Sequence, residues 1–207
     1  MFAFCLRDWM SKWFWRFKVD SHLCRLLVSF FLRSFRVSSP QIIRYAIFSD
    51  VHGNLPAWEQ VLADIQNLNA EMLICIGDVV GYGPKPQEVL DGIRSVTNHF
   101  VLGNHDAAAV SIIDPAMFNE HAHAVVLWTR AALQQESLQF LSQVPLELET
   151  PDLLFVHAEV PEPGRFGYID TEIDAAASFS ARERFVTFVG HTHHPECFEQ
   201  SAFGGGS

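Results

Sequence analysis

Five short polar clusters in this 207-residue chain each follow an apolar run, and together they extend from position 50 to position 194. In chain order the clusters are DVHGN (50–54), GD (77–78), GNHD (103–106), VH (156–157) and GHTHH (190–194). In folds that alternate strands and helices, ligands bind at the carboxyl ends of the strands. Because each cluster stands at such an end, the pattern predicts that all five converge on one site.

The apolar runs predict the strands of an α/β fold. The first three, at 42–48, 72–77 and 99–103, are short and rich in β-formers, which is typical of buried strands. Further strands are expected at 146–149, 153–157, 185–191 and 196–199.

Helices are predicted between these strands. Apolar residues from Leu55 to Leu68 recur every three or four positions, with Asn54 as the N-cap and Pro56 in the first turn. Further helices are expected near 86–96 and over most of 104–143, and the segment 170–184 is expected to be a helix or a lid.

The distribution of charge divides the chain. Residues 1–40 carry seven Lys/Arg and two acids, a net charge of +5, whereas the remainder carries seven Lys/Arg and 22 Asp/Glu, a net charge of −15. We therefore expect a basic, aromatic-rich extension outside the core at 1–40, a single domain at 41–203 and a flexible tail at 204–207. The acidic domain argues against bulk binding of nucleic acid.

The extension has two interpretations. Its longest uncharged apolar run, 26–32, lies between Arg25 and Arg33 and is far shorter than the ~20 residues needed to cross a bilayer. We favour an extension without a packed role; the alternative is a helix on a membrane surface, with its aromatic side chains buried and its basic ones at the headgroups. The four cysteines form no C-x-x-C pair and suit a reducing compartment, so a cytoplasmic protein is expected.

The side chains in the clusters are those that bind transition metals. Carboxylate, imidazole and amide oxygen suit Mn, Fe, Zn, Ni or Co, and the clusters contain no thiolate. In an extended chain, residues i and i+2 point to the same side, which pairs Asp50 with His52 and His191 with His193 and turns His194 away. The candidate ligands are Asp50, His52, Asp78, Asn104, His157, His191 and His193.

Seven ligands exceed the four that one zinc-like ion takes. They suit two ions about 3.5–4 Å apart, bridged by one carboxylate, and Asp78, alone at its strand end, is the natural bridge. Each residue taken singly has a simpler explanation: a helix cap for Asp50 or Asp78, a turn for Asn104 and a core position for His157. The metal site is favoured because all five clusters coincide in placement and residue type.

The ordered set DVHGN, GDVVGYG, GNHD, VHA and GHTH resembles the calcineurin-like metallophosphoesterase family, and it is most similar to the compact bacterial phosphodiesterase-type members. The resemblance covers about residues 42–199. It implies a domain of two facing mixed β-sheets flanked by helices, a four-layer sandwich. It also implies a metal division in which Asp78 bridges one ion held by Asp50, His52 and His193 and another held by Asn104, His157 and His191.

The resemblance further implies a metal-dependent phosphoric ester hydrolase, a phosphodiesterase or phosphatase that uses a dinuclear-metal hydroxide. His105 is expected to act as the general acid, and Asp106 is expected to orient its ring. Manganese is the favoured metal, and the substrate would be a small phosphate ester, with nucleotides among the candidates. Protein phosphatases of this superfamily carry an arginine soon after GD; Val79 to Gly83 contain none, which argues against a protein substrate.

Other expectations concern what lies outside this set. The family continues past GHTH into further strands, whereas this chain ends in GGGS. We therefore expect one sheet to lack C-terminal strands and the catalytic activity to be lower. The alternative to an enzyme is a member of the fold that acts as a binding or scaffold module; the complete ligand set with His105 favours the enzyme. The sequence predicts no oligomeric state.

Arg165, Phe166 and Tyr168 are expected to be loop residues, with pocket lining as the alternative. The histidines expected not to bind metal are His22, His99, His121, His123 and His194.

Overall fold

The computed structural model describes residues 43–182 and 186–200. The predicted extension at 1–40 and tail at 204–207 lie outside the described residues. The strands are β1 (Tyr45–Phe48), β2 (Met72–Cys75), β3 (Glu147–Glu149), β4 (Leu153–Val156) and β5 (Val186–Phe188). The α-helices are α1 (Leu55–Leu68), α2 (Pro86–Arg94), α3 (Asn104–Ala109), α4 (Glu120–Ala132), α5 (Gln135–Leu141) and α6 (Glu172–Ala181); short 3₁₀ turns lie at Pro115–Met117 and Pro163–Arg165.

The strands form two sheets. β1 and β2 pair in parallel, with Tyr45 opposite Met72 and Phe48 opposite Cys75. The second sheet has the order β3-β4-β5, in which β3 is antiparallel to β4 and β4 is parallel to β5. This second sheet is therefore mixed.

An apolar layer joins the two sheets. Ile47 of β1 and Ile74 of β2 belong to one buried cluster with Phe155 of β4. The Phe155 ring also stacks on Phe188 of β5 at a centroid distance of 5.4 Å. Because side chains alternate between the faces of a strand, the neighbouring residues point to the opposite side, towards the helices.

The helices cover the outer face of the first sheet. Phe48 of β1 packs with Trp58 of α1, Leu90 of α2 and Leu141 of α5 in a second buried cluster. The predicted two-sheet, helix-flanked α/β fold is thus confirmed.

The helix boundaries follow local signals. The Asn54 side chain accepts a hydrogen bond from the Ala57 amide at 3.2 Å, and Pro56 occupies the first turn of α1, as predicted. α1 ends at Asn69, which adopts the left-handed conformation with φ 51°. The segment predicted as a helix or lid at 170–184 contains α6 (Glu172–Ala181), which a capping box between Thr171 and Asp174 begins; the last two residues of the segment lie outside the described residues.

Two predicted strands are wrong. The run 99–103 forms a single bridge, Cys75 to Phe100, in which the Cys75 amide donates to the His99 carbonyl and the Val101 amide donates to the Cys75 carbonyl. Residues 196–199 are not a strand either, since most of this segment is exposed and has no apolar face to bury. The remaining predicted strands form but are shorter than their apolar runs: β2, β4 and β5 end earlier than predicted, and β1 and β3 begin later.

No helix among the described residues is long and apolar enough to span a membrane.

The packing around Trp58 gives a test of the core. This side chain is 2% exposed and lies 5.1 Å from the Phe48 ring, centroid to centroid. We expect Trp58→Ala to lower the free energy of unfolding by about 3–5 kcal/mol, because it leaves a cavity that the neighbours cannot fill. Urea denaturation measures the change. Trp128, which is 48% exposed on α4, provides the matched control, and Trp128→Ala should cost under about 1 kcal/mol. Equal losses in the two variants would contradict this account of the core.

Candidate metal centre

Two turns that follow β1 and β2 carry the first candidate ligands, and hydrogen bonds hold them side by side. The Asp50 amide donates to the Gly77 carbonyl at 3.0 Å, and the His52 amide donates to the Asp78 carbonyl at 2.9 Å. The Gly53 amide adds a third bond, to the Val79 carbonyl, at 2.8 Å. The parallel pairing of the strands thus continues into the turns, and Asp50 and Asp78 are fixed relative to each other.

Asp50, His52 and His193 form one cluster of potential ligand atoms. Asp50 Oδ1 lies 3.2 Å from His193 Nε2 and 3.9 Å from His52 Nε2. The two Nε2 atoms are themselves 3.2 Å apart. His193 comes from the turn after β5, so the site joins the ends of both sheets.

A second cluster contains Asp78, His157 and His191. His157 Nε2 lies 3.4 Å from Asp78 Oδ2 and 3.1 Å from the side-chain oxygen of Asn104. The same Asp78 oxygen is 3.6 Å from His52 Nε2, so Asp78 lies between the two clusters. The structure therefore brings all seven predicted ligands to one place.

The hydrogen bonds at the other ring nitrogens fix how two of these histidines face the site. His52 Nδ1 is 3.1 Å from the carbonyl of Val80, and His157 Nδ1 is 2.8 Å from the carbonyl of Ile76. A carbonyl only accepts, so each Nδ1 carries the proton and, in the neutral ring, each Nε2 directs a lone pair into the site.

When these rings are neutral, their lone pairs converge with the carboxylate oxygens of Asp50 and Asp78. Asp50 Oδ1 and His191 Nε2 are buried and have no hydrogen-bond partner among the described residues. Such buried, unpartnered acceptors are costly unless a cation lies between them. The donor set of imidazole, carboxylate and amide oxygen fits divalent transition metals.

The pKa values of three of these groups are shifted from their ordinary values. Burial opposes ionisation of the Asp78 carboxyl, but positive charge on His157 and His52 outweighs it and holds the pKa of Asp78 well below its ordinary value. Burial would lower the pKa of His157, but the facing Asp78 carboxylate outweighs it and raises the pKa to about 9. Burial, followed by charge on His157, lowers the pKa of His191. Without metal, a proton on His157 thus supplies positive charge that the carboxylates require.

The backbone at the site is unusual. Nine non-glycine residues among those described have a positive φ, and five of them are candidate ligands: Asp50, His52, Asp78, His191 and His193. This conformation is disfavoured for residues with a Cβ atom and concentrates at functional sites, where the surroundings enforce it. The prediction that Asp50 and His52 lie together is right, but they meet through a left-handed turn and not through an extended chain.

His105 lies beside this centre, at the start of α3. Its ring is 5.0 Å from the His52 ring, centroid to centroid, and Nδ1 is buried without a hydrogen-bond partner among the described residues. Burial lowers the pKa of His105 to about 4, although the Asp78 carboxylate opposes the shift. The imidazole is therefore neutral at pH 7 in the metal-free chain.

Asp106 does not orient the His105 ring in this structure, contrary to expectation. Its carboxylate instead accepts hydrogen bonds from the amides of Val80, Gly103 and Val79, at 3.0, 3.2 and 3.3 Å. The start of α3 directs the Asp106 side chain back to its own N-terminus, which is the usual geometry of a residue at the third helical position. Burial, followed by the charge of Asp78, raises the pKa of Asp106.

Three aromatic residues that the sequence did not place in the site border its histidines. The Tyr82 ring lies 4.5 Å from the His105 ring, and the Phe118 ring lies 5.1 Å from the same imidazole on an edge-on approach. Tyr168 stacks on His191 at 4.2 Å, which supports the pocket alternative for this residue, whereas the exposed Arg165 pairs with Glu159 and Glu162. The GYG turn and the loop after His157 were the available signals, but neither indicates where a ring points.

Four other histidines, His99, His121, His123 and His194, lie outside both clusters. His121 and His123 lie on α4, where a spacing of two does not place side chains on one face. His194 is exposed, and its amide donates to Thr192 Oγ1. His99 is exposed. His22 lies outside the described residues.

The sequence profile of the calcineurin-like phosphoesterase superfamily domain matches residues 43–204, and the chain belongs to this family.

Individual relatives agree with this assignment. The uncharacterized protein MJ0912 of Methanocaldococcus jannaschii is 34% identical over 155 residues, which are 72% of this chain and 62% of that protein. The phosphodiesterase YfcE of Escherichia coli K12 is 27% identical over 139 residues, 58% of this chain and 72% of YfcE. A metallophosphoesterase structure from Sphaerobacter thermophilus superposes with a TM-score of 0.64 and 38% identity, covering 74% of this chain and 62% of that one. This chain thus spans about three fifths of the first relative and of that structure.

The backbone contacts of Asp106 predict a structural effect. We expect Asp106→Ala to lower the free energy of unfolding of the metal-free chain by about 2–4 kcal/mol, because three buried amides lose their acceptor. Thermal and urea unfolding in the presence of a chelator measure the change.

Asp174 provides the control, since its carboxylate accepts from Thr171 in an exposed capping box. Asp174→Ala should cause a clearly smaller loss. If the two variants lose the same stability, the three amide contacts do not hold the site turn in the way described.

Proposed function

We propose that this chain is a metal-dependent phosphoesterase whose site holds two divalent ions. The observation that carries the proposal is the convergence of potential ligand atoms in two clusters that share Asp78, in which Asp50 Oδ1 and His191 Nε2 are buried without a hydrogen-bond partner among the described residues. One cluster, Asp50, His52 and His193, would hold the first ion. The other, Asn104, His157 and His191, would hold the second, and Asp78 would contact both.

Charge supports the count of two. Asp50 and Asp78 supply two negative charges to the candidate ligand set, so two divalent ions leave the centre positive and able to attract a phosphate to an acidic chain. Such ions, when bound, make hydroxide available from water near neutral pH and stabilise charge on the phosphoryl oxygens. Manganese is the ion we favour.

Other residues of the chain would orient the metal ligands and supply a proton to the leaving group. The Val80 and Ile76 carbonyls keep the Nε2 atoms of His52 and His157 free for metal. His105, beside His52, would protonate the leaving oxygen, and the negative charge of a bound phosphate would oppose the low pKa that burial imposes on its ring. Asp106 would act on catalysis indirectly, by holding the turn that carries Asp78 to the start of α3.

The substrate we propose is a small phosphate ester, with diesters favoured and nucleotides among the candidates. One relative in the same family is a phosphodiesterase. The turn after Asp78 contains no arginine to hold the phosphate of a protein substrate. A cavity of about 580 Å³ beside Asp50, His52 and His193 has the size of a small-molecule site.

Hydrolysis of two diesters that differ in their leaving groups tests the proposal. With Mn²⁺, the chain should hydrolyse bis(p-nitrophenyl) phosphate, and a chelator should abolish the reaction. Asp78→Asn should remove activity on every ester, because an amide offers one neutral oxygen where the carboxylate would supply two oxygens and a negative charge to the two ions. His105→Ala should lower kcat by roughly 10²–10⁴-fold for a diester with an alkyl leaving group, and by much less for p-nitrophenolate, which needs little protonation.

The difference between the two esters distinguishes a general acid from a residue that only supports the fold. An equal loss for both leaving groups would contradict the role of His105. A folded, Mn-loaded chain that hydrolyses no ester would contradict the proposed function and leave a binding or scaffold module.

A further inference from the structure

We infer that Tyr82 determines substrate specificity, by stacking its ring on a planar aromatic group of the leaving portion of the ester, such as a nucleobase. The inference rests on the proposed function, since it assumes that phosphate binds between the two ligand clusters. Three observations carry it: the exposure of the ring, the fixed position of its backbone, and the lining and volume of the adjoining cavity.

The ring of Tyr82 is exposed at the mouth of the site. It is 51% exposed and stands edge-on to His52, at a centroid distance of 4.9 Å, and 4.5 Å from His105. The Tyr82 hydroxyl has no hydrogen-bond partner among the described residues. One side of the ring thus contacts the site histidines, while much of its surface is free for a ligand.

The backbone holds the ring in this position. Tyr82 has a φ of 52°, a conformation that costs a tyrosine energy and that glycine adopts freely. The next residue, Gly83, donates its amide to the His52 carbonyl at 2.8 Å, and the Lys85 amide donates to the Gly53 carbonyl at 3.1 Å. The turn that carries Tyr82 is therefore tied to the turn that carries His52, which fixes the backbone of Tyr82 relative to the site.

The cavity next to Tyr82 is lined by polar and by apolar residues. Asp50, His52 and His193 line it together with Pro56, Pro84 and Tyr82, and we call the last three the cavity wall. A phosphate held by the ligands Asp50, His52 and His193 would place its ester group beside this wall. Its volume of about 580 Å³ accommodates a group of nucleoside size.

The position of His105 identifies which part of the substrate contacts the wall. A general acid must lie within hydrogen-bond reach of the leaving oxygen. Because the Tyr82 ring packs directly against His105, the leaving portion attached to that oxygen would lie next to Tyr82. Stacking on an exposed tyrosine favours any flat ring and makes no demand on its hydrogen-bonding pattern, so the preference is for aromatic leaving groups as a class.

Titration calorimetry on the full Mn²⁺-loaded chain tests the inference with two probes that share a phosphate and a ribose. The probes are adenosine 5′-monophosphate, which carries a base, and ribose 5-phosphate, which does not. The chain should bind the adenosine compound roughly tenfold more tightly. Tyr82→Leu, which keeps an apolar side chain but removes the ring, should abolish this advantage, so that the two probes bind with equal affinity. Tyr82→Phe should retain the advantage, since stacking does not need the hydroxyl.

Trp128→Ala is the matched control, because Trp128 is about as exposed as Tyr82 and lies outside the cavity wall. It should leave the ratio of the two affinities unchanged. Equal binding of the two probes by the unmodified chain, or an advantage that survives Tyr82→Leu, would overturn the inference.

Failure of this inference and failure of the proposed function give different results. If the chain hydrolyses esters but binds the two probes equally, only the role of Tyr82 is wrong. If it hydrolyses none and the Tyr82-dependent advantage persists, the stacking site stands and the proposed catalysis is wrong.

Discussion

The buried Asp78 carboxylate, set between two groups of acceptor atoms, is the constraint on which this site depends. Its Oδ2 atom lies 3.6 Å from His52 Nε2 and 3.4 Å from His157 Nε2, and its Oδ1 atom accepts the His105 amide at 2.9 Å. A buried carboxylate surrounded by imidazole lone pairs is unfavourable unless positive charge compensates it. The raised pKa of His157 shows that demand in the metal-free chain, and divalent ions would meet it better than a proton.

Hydrogen bonds and close contacts around the site hold Asp50 and Asp78 in their unfavourable positions. Ladder bonds between the turns after β1 and β2 hold Asp50 and Asp78 in left-handed backbone conformations. Close glycine contacts add to this restraint: a Cβ atom on Gly77 would stand 2.6 Å from His157 Nδ1, and one on Gly81 would stand 2.7 Å from His105 Nδ1. Asp106 completes the arrangement by joining the turn after β2 to the start of α3 through backbone amides.

Much of this could be predicted from the sequence because the signals are local. Apolar runs ending in polar clusters indicated which strands exist and where their ligands collect, and Asn54 and Pro56 marked the start of α1. The 99–103 run forms only one bridge to β2 among the described residues, which its apolar pattern does not reveal. The partners of Asp106 and the position of Tyr82 could not be predicted either, since both depend on side-chain directions set by left-handed turns and by residues far along the chain.

The central claim, that two metal ions share Asp78, is tested most directly by anomalous X-ray diffraction from crystals grown with Mn²⁺. The account predicts two manganese peaks about 3.5–4 Å apart. Asp50, His52 and His193 should contact one, Asn104, His157 and His191 the other, and Asp78 both. A single peak, or two peaks of which only one contacts Asp78, would contradict it.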